Sequence, residues 1–229
     1  MTPPNPTERH LRVTRTARYF VVGELSAATT EVWIALHGYA QLAEPFARAL
    51  DPLRGEGRVV VAPEALSRFY LDEPAKRHRP DSPVGAGWMT REDRANEIAD
   101  YVGYLDGVAS AIRREAPHAA LSVLGFSQGV ATACRWVALG ATRVSRLVLW
   151  GGAIAADLPK NESDGVFHGA TVVLVAGRKD AIVPVKFMEK ERATLSQLGV
   201  AAAMMEHDGG HSLNSDALRR LVLGATNDQ

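Results

Sequence analysis

The sequence is short of cysteine, of net charge and of long apolar runs, and each shortage excludes a class of protein. Its one cysteine, Cys134, can form neither an intramolecular disulfide nor a thiolate metal cluster, which favours a reducing, cytoplasmic location. Basic and acidic residues each number 26 among the 229 residues, so a nucleic acid or an anionic membrane surface is not expected as a partner. No apolar run reaches the roughly 18 residues that a membrane-spanning helix needs, so membrane insertion is not expected.

The amino terminus lacks the apolar segment of a secretion signal. Its prolines are typical of an extended segment that packs against nothing. We therefore expect residues 1–12 to form a flexible leader and residues 13–225 to form a single domain, because no linker or internal repeat interrupts them. The pattern fits a monomer and a homodimer equally well.

Short β-branched runs alternate with longer helical patterns along the rest of the chain. This alternation predicts an α/β fold with a mainly parallel central sheet and helices on both faces. The first two strands are too close in sequence for a crossover connection, so we expect them to pair as an antiparallel hairpin. The predicted strands are Arg18–Gly23, Glu31–Leu36, Arg58–Ala62, Leu121–Phe126, Arg146–Trp150, Thr171–Val175 and Ala202–Glu206. The predicted helices are Ala43–Leu53, Arg91–Glu115, Gly129–Leu139, Pro184–Leu198 and Asn214–Gly224.

One segment, Ser67–Met89, follows neither a strand period nor a helix period. Irregular loops of this length are uncommon and are usually functional or disordered. We interpret it as a lid or substrate-lining loop, with a mobile surface excursion as the equal alternative. Its candidate substrate-lining side chains are Phe69, Tyr70, Trp88 and Met89. Thr90, which follows directly, is the predicted N-cap of the longest helix.

The strongest motif is Gly125-Phe126-Ser127-Gln128-Gly129, a G-x-S-x-G pattern between an apolar strand and a helix of small residues. A serine on a sharp strand-to-helix turn projects its hydroxyl from the sheet, and the flanking glycines permit the crowded backbone. The turn also places Ser127 at a helix amino terminus, which favours developing negative charge. The alternative is a glycine-rich turn whose serine merely caps the helix.

A serine nucleophile needs a base that is itself oriented by a carboxylate, and in this fold the chain order is serine, acid, histidine. Asp180 follows an apolar strand, although it could simply balance Arg178 and its neighbouring lysine. His211 follows two glycines and is the better base, because His207 lies on or just past a strand. The spacing of these two histidines suggests a metal only on a helix, which the glycines disfavour, so no metal site is expected.

The oxyanion formed by serine attack needs two prepositioned N–H donors. The residue after the nucleophile, Gln128, is one candidate. Tyr39 is the other, because Gly38 lets the backbone turn in closely after an early strand. His37 precedes the serine in the chain, so a structural hydrogen-bonding role fits it better than that of the base.

Taken together, these motifs resemble the phospholipase/carboxylesterase family of α/β-hydrolases, which includes the acyl-protein thioesterases. The motifs are Leu36-His37-Gly38-Tyr39, Gly125-Phe126-Ser127-Gln128-Gly129, Gly177-Arg178-Lys179-Asp180 and Gly210-His211-Ser212. The resemblance implies the α/β-hydrolase fold, a triad of Ser127, Asp180 and His211, no cofactor, and ester or acyl-thioester substrates. Acyl-protein thioesterases usually have Leu-Gly-Asp where this chain has Tyr39-Ala40-Gln41, and a further glycine in place of Val130, which disfavours protein deacylation.

The sequence therefore predicts a serine hydrolase that cleaves small-molecule carboxylic esters of small or medium acyl chains through an acyl-enzyme. An acyl-thioesterase or a lysophospholipase acting through the same triad remains an alternative. A non-catalytic α/β-hydrolase-fold binding protein is the alternative of another class, since fold alone does not guarantee chemistry.

Overall fold

The computed structural model describes residues 5–72, 78–159 and 165–224. The strands are β1 (Tyr19–Val22), β2 (Glu31–Leu36), β3 (Arg58–Pro63), β4 (Ser67–Tyr70), β5 (Val84–Gly87), β6 (Ala120–Phe126), β7 (Arg146–Trp150), β8 (Thr171–Gly177) and β9 (Ala202–His207). The α-helices are α1 (Ala43–Ala49), α2 (Arg94–Glu115), α3 (Gln128–Leu139), α4 (Val185–Gln197) and α5 (Ser215–Leu223), and a 3-10 turn occupies Asp51–Leu53.

Seven strands form one sheet in the order β1-β3-β2-β6-β7-β8-β9. All neighbouring pairs are parallel except β1 with β3. Parallel neighbours need crossover connections, and the helices between the strands supply them. The carboxyl ends of the parallel strands consequently meet at one edge, where α/β folds place their ligands.

Successive strand residues face opposite sides of the sheet and bury two separate apolar layers. Val32, Ile34 and Leu36 face the layer that packs under α2, α3 and α4. Trp33 and Ala35 face the layer covered by α1 and α5. A strand buried on both faces reads as a continuous apolar run, which is why these strands were recognisable in the sequence. The predicted parallel sheet with helices on both faces is confirmed.

The predicted hairpin between the first two strands is wrong, because β1 pairs with β3 and not with β2. β1 runs antiparallel to β3, with Phe20 opposite Ala62, whereas β2 lies between β3 and β6 and is parallel to both. The burial of the two strands explains the order. β2 is buried almost throughout and needs neighbours on both sides, while β1 has alternating exposed residues and suits an edge.

The ends of Ser67–Met89 are regular, contrary to the expectation from the sequence. β4 and β5 pair antiparallel as a separate two-stranded sheet, with Ser67 opposite Gly87. Residues 73–77 lie outside the described part of the chain, and the role of this segment as a lid stays a prediction. Two short strands separated by so many residues have no local turn signal to reveal their pairing.

The predicted N-cap at Thr90 is also wrong, because α2 begins at Arg94 after Asp93, which has a left-handed φ of 43°. The Thr90 hydroxyl instead accepts a hydrogen bond from the backbone of Glu92 and closes a local turn. Serine and threonine hydroxyls close such turns as readily as they cap helices.

The predicted leader lies partly outside the described residues, which begin at residue 5. Residues 5–18 contain no helix or strand and are mostly exposed. Its predicted flexibility and the single-domain boundary at residue 225 stay predictions. Among the described residues, no helix combines the length and the apolar character needed to cross a bilayer.

Candidate active site

Ser127 occupies the sharp turn between β6 and α3 with a φ of 54° and a ψ of −116°. Such a backbone conformation is strained for a residue other than glycine and persists only when its surroundings hold it. The two motif glycines provide that close packing. A Cβ on Gly125 would lie 2.4 Å from the carbonyl oxygen of Gly129, and a Cβ on Gly129 would lie 2.2 Å from that of Leu36. The G-x-S-x-G spacing therefore follows from backbone-to-backbone contact.

The structure brings the three predicted side chains Ser127, His211 and Asp180 into one hydrogen-bonded chain. His211 Nε2 lies 3.0 Å from Ser127 Oγ. His211 Nδ1 lies 2.8 Å from Asp180 Oδ2. Because the carboxylate can only accept, Nδ1 carries the proton and leaves Nε2 free to accept from the serine hydroxyl.

Asp180 is held rigidly at the end of β8. Its side chain is 2% exposed, and its second oxygen accepts hydrogen bonds from the backbone N–H groups of Ile182 and Val183, both at 2.8 Å. These bonds fix the orientation of the carboxylate. Arg178, one of the two cations that Asp180 could balance, pairs instead with Glu206 and Asp208.

The loop that carries His211 packs closely against the loop that carries Asp180. A Cβ on Gly177 would lie 2.5 Å from the carbonyl oxygen of Gly209. The backbone N–H of Lys179 donates to that same carbonyl at 2.9 Å. The spacing between acid and imidazole is thus set by contacts between two backbones rather than by the two side chains alone.

Tyr39 and Gln128, the predicted oxyanion donors, lie on the two loops that flank Ser127. A Cβ on Gly38 would approach the Ser127 Cβ to 3.1 Å, a tight contact that glycine avoids where this loop passes Ser127. The Gly38 N–H is already bonded to Gln41 Oε1 at 2.8 Å. Within the described residues, the N–H groups of Tyr39 and Gln128 donate to no acceptor, which leaves both available.

His37 has the structural role that chain order suggested. Its ring is fully buried, with Nδ1 donating to the Gly38 carbonyl at 2.8 Å and Nε2 accepting from the Ala65 N–H at 3.1 Å. Both ring nitrogens are occupied by backbone groups. Burial lowers the pKa of His37, so the neutral ring that these bonds require is favoured.

His207 is buried beside Trp150, with ring centroids 5.2 Å apart. Its Nδ1 accepts from the Gly209 N–H at 3.0 Å and so shapes the loop that leads to His211. Desolvation lowers the pKa of His207 as well. Cys134 is buried in the core as expected, and burial raises the pKa of its thiol to about 12.

The four candidate substrate-lining side chains do not share one surface. Phe69 stacks on Tyr39 with ring centroids 5.2 Å apart, whereas Tyr70 stacks on His78, because consecutive strand residues face opposite ways. Met89 packs partly buried against the core. The prediction that Trp88 lines the substrate site is wrong, because its indole is 3% exposed and packs in the core rather than on an open surface.

A partly buried ion-pair cluster joins α3 to its neighbours, and no motif in the sequence indicates it. Arg135 is 6% exposed and donates to Asp157 Oδ1 at 2.9 Å, while Arg94 donates to the other oxygen at 2.8 Å. The hydrogen bond from Arg94, reinforced by Arg135, holds the pKa of Asp157 well below its usual range. This carboxylate ties the start of α2 and the loop after β7 to the helix that follows Ser127.

Two surface cavities lie away from the serine, at the opposite edge of the sheet. One, of about 550 Å³, lies at the amino ends of β8 and β9. The other, of about 600 Å³, lies at the amino ends of β2 and β3. Neither is lined by Ser127, Asp180 or His211, so neither cavity is part of the site at the carboxyl edge.

A serine on a strained strand-to-helix turn, joined to an imidazole and a carboxylate at the carboxyl edge of a parallel sheet, defines an α/β serine hydrolase. The family model described as serine hydrolase (FSH1) matches residues 29–219. The chain belongs to this family. No curated protein matches it.

Solved structures with the same fold include several hydrolases. Acyl-protein thioesterase 2 from Zea mays has 18% identity and a TM-score of 0.68, with 91% of this chain and 97% of that chain covered. A carboxylesterase from Mesorhizobium loti has 16% identity and a TM-score of 0.66, with coverages of 91% and 95%. Esterase PE8 has 19% identity and a TM-score of 0.64, with coverages of 92% and 98%. These likenesses confirm the predicted α/β-hydrolase fold.

Proposed function

We propose that this serine hydrolase cleaves carboxylic esters of small or medium acyl chains, with Ser127 as the nucleophile. The supporting observation is the unbroken hydrogen-bonded chain from Ser127 Oγ through the His211 ring to the Asp180 carboxylate, at 3.0 and 2.8 Å. A serine hydroxyl is weakly nucleophilic by itself, and this arrangement supplies the base that takes its proton.

In the first half-reaction, Ser127 Oγ attacks the ester carbonyl carbon while its proton moves to His211 Nε2. The carbonyl oxygen becomes an oxyanion that accepts hydrogen bonds from the free N–H groups of Tyr39 and Gln128. The imidazolium is stabilised by Asp180. As the tetrahedral intermediate collapses, the C–O bond to the alcohol breaks and His211 returns the proton to the leaving oxygen.

In the second half-reaction, water takes the place of the alcohol. His211 accepts a proton from the water, whose oxygen attacks the acyl-enzyme carbonyl. The same two N–H groups hold the second oxyanion. Collapse breaks the bond to Ser127 Oγ, which recovers the proton from His211, and the carboxylic acid is released.

The surroundings of Ser127 favour a neutral small-molecule ester. The Tyr39 side chain is 59% exposed and rests on Phe69, so an aromatic surface lies beside the proposed oxyanion donor. The Tyr39-Ala40-Gln41 sequence of this loop stands where acyl-protein thioesterases usually have Leu-Gly-Asp, which disfavours protein deacylation. A cytoplasmic site of action is part of the proposal, and the single buried Cys134 supports it.

The test is labelling and turnover. A fluorophosphonate probe should modify Ser127, and p-nitrophenyl esters of rising acyl length should be hydrolysed fastest at short or medium length. An acyl-thioester of matched length measures the alternative preference.

Ser127→Ala is the decisive variant, and Ser196→Ala, on the exposed end of α4, is its matched control. Removing the nucleophile should abolish both labelling and esterase activity, whereas the control should retain both. Equal labelling of the two variants, or equal turnover, would contradict the role of Ser127. Folded wild-type protein without either activity would favour the non-catalytic binding protein.

A further inference from the structure

We propose that residues 86–89, which we call the brace, set the distance between the two oxyanion donors, and that Gln128 and Trp88 act on catalysis as positioning residues through their side chains. The inference rests on the proposed function, because it assigns a task to groups around the same serine. The two donors lie far apart in sequence, on the loop after β2 and at the start of α3. Both loops are nevertheless bonded to this one short segment.

The loop that carries Tyr39 is joined to the brace by an isolated antiparallel bridge between Gln41 and Ala86. The Ala40 N–H donates to the Ala86 carbonyl at 2.9 Å, and the Ala86 N–H donates to the Gln41 carbonyl at 3.1 Å. These two bonds lie on either side of Ala40, which has a φ of 63°. Alanine rarely adopts this conformation, so the pairing with the brace holds a strained residue directly after the first donor.

A third bond reaches the same loop from the Trp88 side chain. Its indole Nε1–H donates to the His37 carbonyl at 2.8 Å. The indole is buried, so the bond is shielded from competing water. His37 is two residues before Tyr39, and the brace therefore holds the first donor loop at both of its ends.

The second donor is tied to the brace by the Gln128 side chain. Its Oε1 accepts from the Trp88 backbone N–H at 3.1 Å, and its Nε2 donates to the Met89 carbonyl at 3.0 Å. The carboxamide thus bridges two consecutive residues of the brace. Because Gln128 supplies the second donor from its own backbone, this pairing fixes that N–H relative to the first loop.

Donor position matters because the oxyanion is bound only in the transition state. Stabilisation depends on donors held within hydrogen-bond distance of the place where charge develops, and a displacement of about 1 Å can lower a rate roughly 100-fold. A loosened brace should therefore leave substrate binding nearly unchanged and weaken binding of the tetrahedral species. A purely structural role would lower stability instead.

The test compares two conservative variants, Gln128→Met and Trp88→Phe. Each keeps the backbone donors and removes only the side-chain bonds to or from the brace. With a p-nitrophenyl ester, kcat should fall about 10- to 100-fold, while KM changes by less than about threefold. The inhibition constant of a trifluoromethyl ketone, which forms a tetrahedral oxyanion adduct with serine, should rise by a similar factor.

Trp136→Phe is the matched control, since the buried Trp136 indole donates to Asp106 Oδ1 at 2.9 Å away from the serine. It should cost as much thermal stability as Trp88→Phe while leaving kcat and the ketone affinity unchanged. If Trp88→Phe and Gln128→Met lower only the melting temperature, or raise KM and the ketone constant without lowering kcat, the brace has no positioning role. Failure of the proposed function would look different, because wild-type protein would then share the inactivity of Ser127→Ala.

Discussion

The turn at residues 125–129 and the brace at residues 86–89 both position groups around Ser127, but they are held in place by different kinds of contact. The turn is held by backbone pressed against backbone, with no room for a Cβ at Gly125 or Gly129. The brace is held by hydrogen bonds, of which the Gln128 carboxamide donates one and accepts one and the Trp88 indole donates another. Steric contact between backbones allows almost no displacement, whereas hydrogen bonds allow a small one.

This difference separates stability from catalysis. A change at the turn should lower the free energy of unfolding strongly, because packed backbones cannot move apart cheaply. A change at the brace should leave a folded protein in which Tyr39 and Gln128 are less well placed. Variants in the two regions should therefore differ in which quantity they change more, the free energy of unfolding or the turnover.

The largest effect is expected from Gly129→Ala at the turn. The new Cβ would lie 2.2 Å from the Leu36 carbonyl oxygen and 2.9 Å from that of His37, so β2 and α3 would have to separate. We expect a loss of at least about 3 kcal/mol in the free energy of unfolding, measured by urea titration. A loss below about 1 kcal/mol would show that the turn is not held by steric contact.

Gly85→Ala, beside the brace, should lower both turnover and stability. Its Cβ would lie 2.5 Å from the Ala40 carbonyl oxygen, which forces the Tyr39 loop to shift. We expect kcat/KM for a p-nitrophenyl ester to fall about 10- to 100-fold, with a loss of about 1–2 kcal/mol in the free energy of unfolding.

Gly87→Ala on the same strand provides the matched control for Gly85→Ala. Its nearest contacts would be side-chain atoms, of the Tyr39 ring at 3.3 Å and of the Phe69 ring at 3.6 Å, and a side chain can give way where a backbone cannot. Its effect on kcat/KM should be several-fold smaller than that of Gly85→Ala. Equal effects of the two substitutions would mean that the backbone of the loop does not need this close approach.

The same difference explains which parts of the molecule could be predicted from the sequence. The turn was predictable because strand, glycines, serine and helix are consecutive and one steric requirement governs all of them. Asp180 and His211 were predictable because each follows an apolar strand whose carboxyl end must lie at the same sheet edge. The roles of these residues remain a proposal that the labelling and turnover experiments test.

The brace was not predictable, because its contacts join residues that are distant in sequence. No local sequence pattern indicates that β4 pairs with β5 or that Ala86 pairs with Gln41. An aromatic residue in an irregular segment resembles a pocket residue, so the sequence alone predicts that Trp88 lines the substrate site. Its burial depends on a partner, the His37 carbonyl, that only the folded chain supplies.

Acidification tests the two buried histidines that flank these regions, His37 beside the Tyr39 loop and His207 beside the His211 loop. Burial lowers the pKa of both in the folded state, so the unfolded chain binds more protons below its histidine pKa of about 6.5. Their contribution to stability is therefore complete above that pH and is lost as the pH falls towards 5. The free energy of unfolding should decline by up to about 1.4 kcal/mol per pH unit for each histidine.

Urea titrations between pH 7 and pH 5 measure this slope. His37→Gln and His207→Gln should each reduce it, and the double variant should reduce it further, even though all three lose stability at pH 7. A slope that stays the same in the double variant would mean that other groups produce the acid sensitivity.

The smallest effect, and the one of opposite sign, is expected at Gly103 and Gly107 in α2. A Cβ at either position would meet nothing within 4 Å, and both residues are exposed in the interior of the helix. Alanine loses less conformational entropy there, so Gly103→Ala and Gly107→Ala should each add about 0.5–1 kcal/mol to the free energy of unfolding. Turnover should be unchanged in both. Together with Gly129→Ala, these variants separate the loss of a glycine from the introduction of a Cβ. If alanine also destabilised α2, the cost at the turn could not be attributed to contact with Leu36 and His37.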